Sequence, residues 1–476
     1  MRLAPLALLA LAACSERPTT GSGGAASITA NDLRHRIGLL ADDSMRGRDT
    51  PSPELDKAAE YIAGEFARLG LLPAGDNGTH IQRYALERVR LDTAASRVMV
   101  AGRTLRFGVD AARWRGRWTG DTAATGNVTV LRDTPAAGTS LTGLVVVLLP
   151  TLGDDGMPDQ AGNRLMRAIL LAGPIALVIV VNPQDTVWRT VTDAQAGTAL
   201  NVPWQTGGRA PAVFVRRAAL PSPSALTGTR AEVAVVPEIV ERLTGPNVAG
   251  ILEGSDPALA GEYVVFSAHM DHVGVGRPVN GDSIYNGADD DASGTATVVE
   301  LAEAFAGTAQ RPRRSLLFLA VSGEEKGLWG SEYFAFHPTV PIEQIVANVN
   351  IDMVGRNWPD TIVAIGKEHS DLGATLNAVN AAHPEIGMTA IDDFWPEENF
   401  YFRSDHYNFA RRGVPILFFF NGTHDDYHRP SDAPALIEYD KAARIGQLVY
   451  YLGERVADAD QRPQWDPESR AQIVGN

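Results

Sequence analysis

Apolar and polar positions follow three textures along the chain. Between residues 31 and 75, Leu55, Ala58, Ala59, Ile62, Phe66 and Leu69 recur at helical spacing, and Gly70 suits a helix stop. From about Val98 to Val236 the pattern turns to short β-rich runs. Leu144 to Leu149 and Ile175 to Val181 are near-continuous apolar strands, and Ala212 to Val215 is a shorter one. Arg164 to Ala172 predicts a helix between the first two, ended by Gly173-Pro174. From Asn247 onward, strand and helix alternate. Tyr263 to Ala268, Leu316 to Val321, Ile345 to Ile351 and Ile416 to Phe420 read as buried strands. Thr295 to Phe305 places Val298, Leu301, Ala302 and Phe305 on one helical face. The alternation predicts an α/β fold with helices on both faces of a sheet, and no internal repeat is visible.

A length of 476 residues favours two domains over one. The expected division is one domain built from residues 31–97 and 239–460, interrupted by a β-rich insert at 98–238, with a tail at 461–476. An apolar share of 45% suffices for a sizeable core. The net charge of −15 excludes a nucleic-acid partner, which needs basic patches, and is otherwise the mark of a solvated surface.

The N-terminus changes the expected location. Arg2 precedes an apolar stretch, Leu3 to Ala13, too short to cross a bilayer and typical of a signal peptide (1–13). Leu11-Ala12-Ala13-Cys14 then sets the sole cysteine after small residues, similar to a bacterial lipobox in which Cys14 is lipidated. The alternative is a plain signal with a chance cysteine. Residues 14–30 read as a flexible tether. The expected partner on this ground is a membrane reached through this lipid anchor, facing the periplasm. Nothing in the sequence reports oligomeric state.

The candidate chemistry lies at the ends of the four later strands. His269 follows the first, Glu324 and Glu325 the second, Asp352 the third, and His428 stands in the loop after the fourth. Open α/β sheets bind ligands just beyond the carboxyl ends of their strands. Gly287-Ala-Asp-Asp-Asp-Ala-Ser-Gly294 adds three adjacent carboxylates among small residues, a run that repels itself unless a cation sits in it. Imidazole and carboxylate without thiolate suit zinc. Two ions need a bridging anion, and Asp290 is assigned to it. His269 and Asp352 then complete one ion, Glu325 and His428 the other. Asp271 either accepts the second proton of the His269 ring or is a solvated loop carboxylate. Glu324 is assigned as general base beside its ligating neighbour. Tyr427 donates to a developing oxyanion or simply packs. Arg403 faces the substrate carbonyl or pairs with Asp405. Asp405 and His406 are kept structural. His35, His80, His272, His337, His369, His383 and His424 are treated as surface or core residues.

Together these motifs resemble metallopeptidase family 28, the di-zinc aminopeptidases. The resemblance rests on Asp42 to Arg48, Ala268 to His272, Asn286 to Gly294, Ser322 to Glu325, Asn350 to Gly355, Arg403 to His406 and Tyr427-His428, in this order. It implies a mixed, mostly parallel sheet flanked by helices, two zinc ions and hydrolysis of a peptide bond near a terminus. It also implies a cis peptide after Asp290, and the insert resembles a protease-associated domain. An exported aminopeptidase is the favoured reading. The alternatives are a dipeptidase, a carboxypeptidase or a single-zinc glutaminyl cyclase on the same scaffold, and a non-catalytic binding protein. Residues Asp392 to Tyr401 are a plausible contributor to the substrate pocket.

Overall fold

The computed structural model describes residues 23–114, 123–136, 138–205 and 210–475. The chain divides into two compact units, one running to Tyr84 and resuming at Gly245, the other spanning Ala85–Thr244. The second unit is wider than the 98–238 expected. Strands Ile81–Leu91 and Pro237–Leu252 each run through a boundary, so no break in hydrophobic texture marks it.

In the first unit the four apolar runs form four neighbouring parallel strands: β1 (Tyr263–His269), β2 (Ser315–Val321), β3 (Ile345–Ile351) and β4 (Ile416–Phe420). β1 lies between β2 and β3, and β4 is outside β3. Pro237–Leu252 runs antiparallel beside β2, and the sheet continues past it to Ile81–Leu91. Thr361–Ile365 runs antiparallel beside β4, with Thr389–Ile391 parallel to it at the edge. The sheet is therefore mixed: its four central strands are parallel as expected, but the pairings that flank them are antiparallel, so it is not mostly parallel.

Strand periodicity sends alternate side chains into two cores. Val264, Phe266, Ala268, Leu316 and Phe318 pack with helices Pro53–Arg68, Gly294–Ala306 and Tyr439–Asp458. Val265, Leu317, Leu319 and Val321 pack on the other face with Phe334 and Phe409. Helix Pro53–Arg68 starts where Ser52 caps the Leu55 N–H with Pro53 in the first turn, and stops before Gly70 at φ +74°.

Among the described residues the insert unit has an eight-stranded mixed sheet, with helices Gln160–Leu171 and Asp185–Ala196. Its middle is parallel: Ala123–Leu131, Leu144–Leu148, Ala176–Val181 and Ala212–Arg216 lie side by side. Their valines fill a core of their own.

Two expectations about the chain ends change. The tether does not extend to residue 30: Ala25 and Ile28 are buried, and Gly24 N–H donates to the Ala304 carbonyl. The tail is packed as well, with helix Pro467–Ile473, a buried Ile473 and the Trp465 indole donating to the Gly413 carbonyl. The expected signal peptide (1–13) and Cys14 lie outside the described residues. Among those described, no helix is long and apolar enough to cross a membrane.

Candidate metal centre

Each parallel strand delivers a donor at its carboxyl end. His269 is the last residue of β1 and Asp352 directly follows β3, while Glu325 and His428 come from the loops after β2 and β4. Asp290 enters from the loop before helix Gly294–Ala306, through a cis peptide to Asp291. The structure brings all five together. His269 Nε2 is 3.2 Å from Asp290 Oδ1 and 3.6 Å from Asp352 Oδ1. His428 Nε2 is 3.1 Å from both Asp290 Oδ2 and Glu325 Oε2. Asp290 thus turns one oxygen toward each group, the arrangement a bridging carboxylate requires.

Two donor groups result, His269–Asp290–Asp352 and His272–Asp290–Glu325–His428, each with its donor atoms within 4.8 Å of one another. His272 was read from sequence as surface or core and is corrected here: its ring is buried inside the second group.

The donor set fits divalent cations. Asp290 Oδ2, Glu325 Oε1, Asp352 Oδ1 and His428 Nε2 are buried without hydrogen-bond partners, which is costly unless an ion satisfies them. Electrostatics agree. Burial lowers the affinity of His269 for a proton, but Asp352, Asp271 and Asp290 outweigh it and hold the ring well above its usual range. His428 likewise rises to about 10, against burial, through Asp290 and Glu325. The cluster recruits positive charge, and nitrogen and oxygen donors in this number suit zinc.

The three adjacent aspartates have separate tasks. Asp291 Oδ1 accepts from the Gly294 and Met353 N–H groups and Oδ2 from His269 N–H, so it pins three donor-bearing segments. Asp289 Oδ1 accepts from Gly355 N–H, and the N–H groups of Asp289 and Asp290 both donate to Asp432. Behind Asp352 runs a buried relay: Asn348 donates to Ser267, Ser267 to Asn350, Asn350 to Ser404, and Ser404 to Asp352 Oδ2 at 2.9 Å.

Asp271 differs from its expected role. His269 Nδ1 meets the main-chain oxygen of Asp271 at 3.1 Å, while the carboxylate stands at 3.7 Å. That carboxylate accepts instead from the Thr50 hydroxyl and from Glu324 N–H, and Thr50 in turn accepts from Gly323 N–H. Asp271 therefore sets the main chain at Glu324.

The cleft beside the cluster is lined by His269, Asp290, Glu324, Asp352, Met353, Phe400, Arg403, Ser404, Phe418, Phe420, Thr423 and Tyr427. Desolvation pushes the Glu324 carboxyl well above its ordinary range; His269 opposes, and Asp405, Glu325 and Asp352 push further. Tyr427 stacks on the His428 ring at 3.9 Å, and burial keeps its hydroxyl protonated as a donor. Arg403 pairs with Glu398 at 3.4 Å and lies over the Phe400 ring, rather than meeting Asp405. Asp405 and His406 are buried and belong to neither donor group, and His406 Nε2 meets the Tyr401 carbonyl at 2.8 Å. His424, treated as unpartnered, faces Asp289 Oδ2 at 3.3 Å. Of the segment Asp392 to Tyr401, Phe400 reaches the cleft wall.

Comparison with known proteins agrees with this geometry. The profile of peptidase family M28 matches residues 247–453, a span that holds every donor named above. Residues 247–453 are an M28 peptidase domain. A probable zinc metalloprotease of Pyricularia oryzae is 29% identical over 289 residues, 50% of this chain and 56% of that protein. Aminopeptidase YwaD of Bacillus subtilis is 23% identical over 186 residues, 37% of this chain and 39% of its own. The chain spans about half the length of the first of these relatives and less of the second. Among solved structures, a zinc aminopeptidase from Bacillus subtilis aligns at 18% identity over 89% of this chain and 94% of that one, with a TM-score of 0.49. The matched span contains the four parallel strands, both donor groups and the cleft lining.

Proposed function

We propose that this protein is a zinc-dependent aminopeptidase holding two ions. The observation that carries the reading is the pair of donor groups sharing Asp290, with Glu324 beside them in the same cleft. His269, Asp290 and Asp352 would hold one ion, and Asp290, Glu325 and His428 the other. Ions held there supply Lewis-acid polarisation of the scissile carbonyl and of a water. Glu324 takes a proton from the attacking water and returns it to the leaving amine. The Tyr427 hydroxyl donates to the oxygen that gains charge. The amine end of a peptide is favoured over the carboxyl end because the guanidinium in the cleft lining is already engaged. Arg403, which a carboxyl terminus would need, already pairs with Glu398. The apolar leader and Cys14 support export and lipid anchoring, and the strand pattern of the insert supports a protease-associated role for it.

The test is a panel of N-free and N-blocked peptides, with metal content measured on the same sample. Cleavage confined to free N-termini, with about two zinc ions per chain, is expected. Chelation should abolish turnover, and zinc or cobalt should restore it. Cleavage of blocked peptides, or full activity in metal-free protein, overturns the reading.

The same panel reports specificity. Phe400, Phe418, Phe420 and Met353 form an apolar wall. Burying a leucine or phenylalanine side chain is worth about 1.5–3 kcal/mol. Peptides beginning with leucine or phenylalanine should therefore exceed those beginning with aspartate in kcat/KM by about ten- to hundredfold. Equal rates would place the side-chain pocket elsewhere.

A further inference from the structure

The five-donor set leaves His272 without a task. Its ring is fully buried, and neither ring nitrogen has a hydrogen-bond partner. Nδ1 stands 2.8 Å from Glu325 Oε1 and 3.6 Å from Asp290 Oδ2. The closer approach lacks hydrogen-bond geometry, since Nδ1 and Oε1 both remain unsatisfied. Neither atom therefore satisfies the other, and both are open to a third group. His428 Nε2 faces the same region from the other side, with the two rings edge to face at 5.6 Å. Four donors bonded at about 2.0–2.2 Å around one tetrahedral ion stand about 3.3–3.6 Å apart. The 3.6 Å separation lies in that range and those of 3.1, 3.1 and 2.8 Å fall below it, with His272 nearest Glu325 Oε1 and His428 nearest Oε2.

Local structure builds the ring into this place. The His272 N–H donates to the Arg48 carbonyl as the chain leaves β1. Gly287, at φ +60°, opens the space the ring fills: a Cβ there would stand 2.5 Å from the ring's Cγ and 2.6 Å from Cδ2. The glycine before the three aspartates thus serves the histidine as well as the turn.

We propose that His272 is a fourth protein donor to the second ion, binding through Nδ1 beside Asp290, Glu325 and His428. The proposal rests on the two-ion reading above. It makes the pair unequal. The second ion is closed in by four side chains, the first has three and keeps a position open to water or substrate. Chelators should strip the first ion before the second.

Competitive chelator titration of His272→Ala and His272→Gln reads the affinity of each site. Loss of a partner behind a ligand already costs about 10–100-fold in metal affinity, so loss of a donor should weaken the second ion by about 100-fold or more. The first ion should stay within about tenfold of wild type. X-ray absorption on the wild-type di-zinc protein needs no variant to fold, and should show three imidazoles over two zinc ions. Second-ion affinity unchanged in both variants, or two imidazoles over two zinc ions, overturns the proposal; either leaves the two-ion reading standing. A wild-type protein that binds a single zinc overturns that reading, and the inference with it.

Discussion

Glu324→Gln is expected to lower kcat by about 10²–10⁴-fold while leaving zinc content, fold and KM nearly unchanged. Glutamine keeps the volume and removes the base. The position of the carboxylate is set by its neighbours rather than by its own contacts. Thr50 holds Gly323 N–H, Asp271 holds Glu324 N–H, and the Glu324 carbonyl accepts from Gly327 and Leu328 N–H. Gly323 needs its φ of +74°, and a Cβ there would stand 2.7 Å from the Tyr84 hydroxyl. Desolvation, aided by Asp405, Glu325 and Asp352, gives this carboxylate a stronger pull on a proton than a solvated glutamate has. That suits a group that must accept a proton from water at neutral pH and then release it. Single-turnover kinetics and metal analysis on one preparation decide the matter. Near-normal turnover removes Glu324 from the chemistry. A loss of zinc with the activity makes it a ligand instead.

The donors were legible because a buried parallel strand is written as a continuous apolar run, and the residue at its end stands out. His269 and Asp352 needed no more than that. Asp290 was legible as one of three, from charge crowding among small residues. What the other two do was hidden, since the direction of each side chain depends on the backbone between Gly287 and Gly294. His272 was missed for a related reason. Its burial comes from Arg48 and Gly287, far from it in sequence, and histidine type alone does not separate a donor from a surface residue. The Asn348–Ser267–Asn350–Ser404 relay was equally hidden, because polar residues inside otherwise apolar strands interrupt the pattern without saying whom they meet. The edges of the insert were misplaced because Ile81–Leu91 and Pro237–Leu252 belong in part to each unit.

Arg48→Met should destabilise the protein by about 3 kcal/mol or more and weaken zinc binding by about 10–100-fold. Arg48 is completely buried, and its guanidinium donates to four main-chain carbonyls rather than to a carboxylate. Leu40 ends the first helix, Met270 follows β1, and Asn286 and Gly287 open the aspartate loop. One planar fork therefore ties the segment bearing His269 and His272 to the segment bearing Asp290. Burial lowers its pKa to about 10, opposed by Asp271, Asp432, Asp291 and Asp290, so it is a cation at neutral pH. Methionine fills similar space but leaves those carbonyls without this donor, at about 1–3 kcal/mol for each buried group left unsatisfied. Lysine keeps the charge and offers donors from one atom only, so Arg48→Lys should recover part of the stability and little of the zinc affinity. Denaturant unfolding of metal-free protein separates the stability loss from the zinc effect. Wild-type stability together with wild-type zinc affinity in Arg48→Met would show that the two loops hold their register without this clamp.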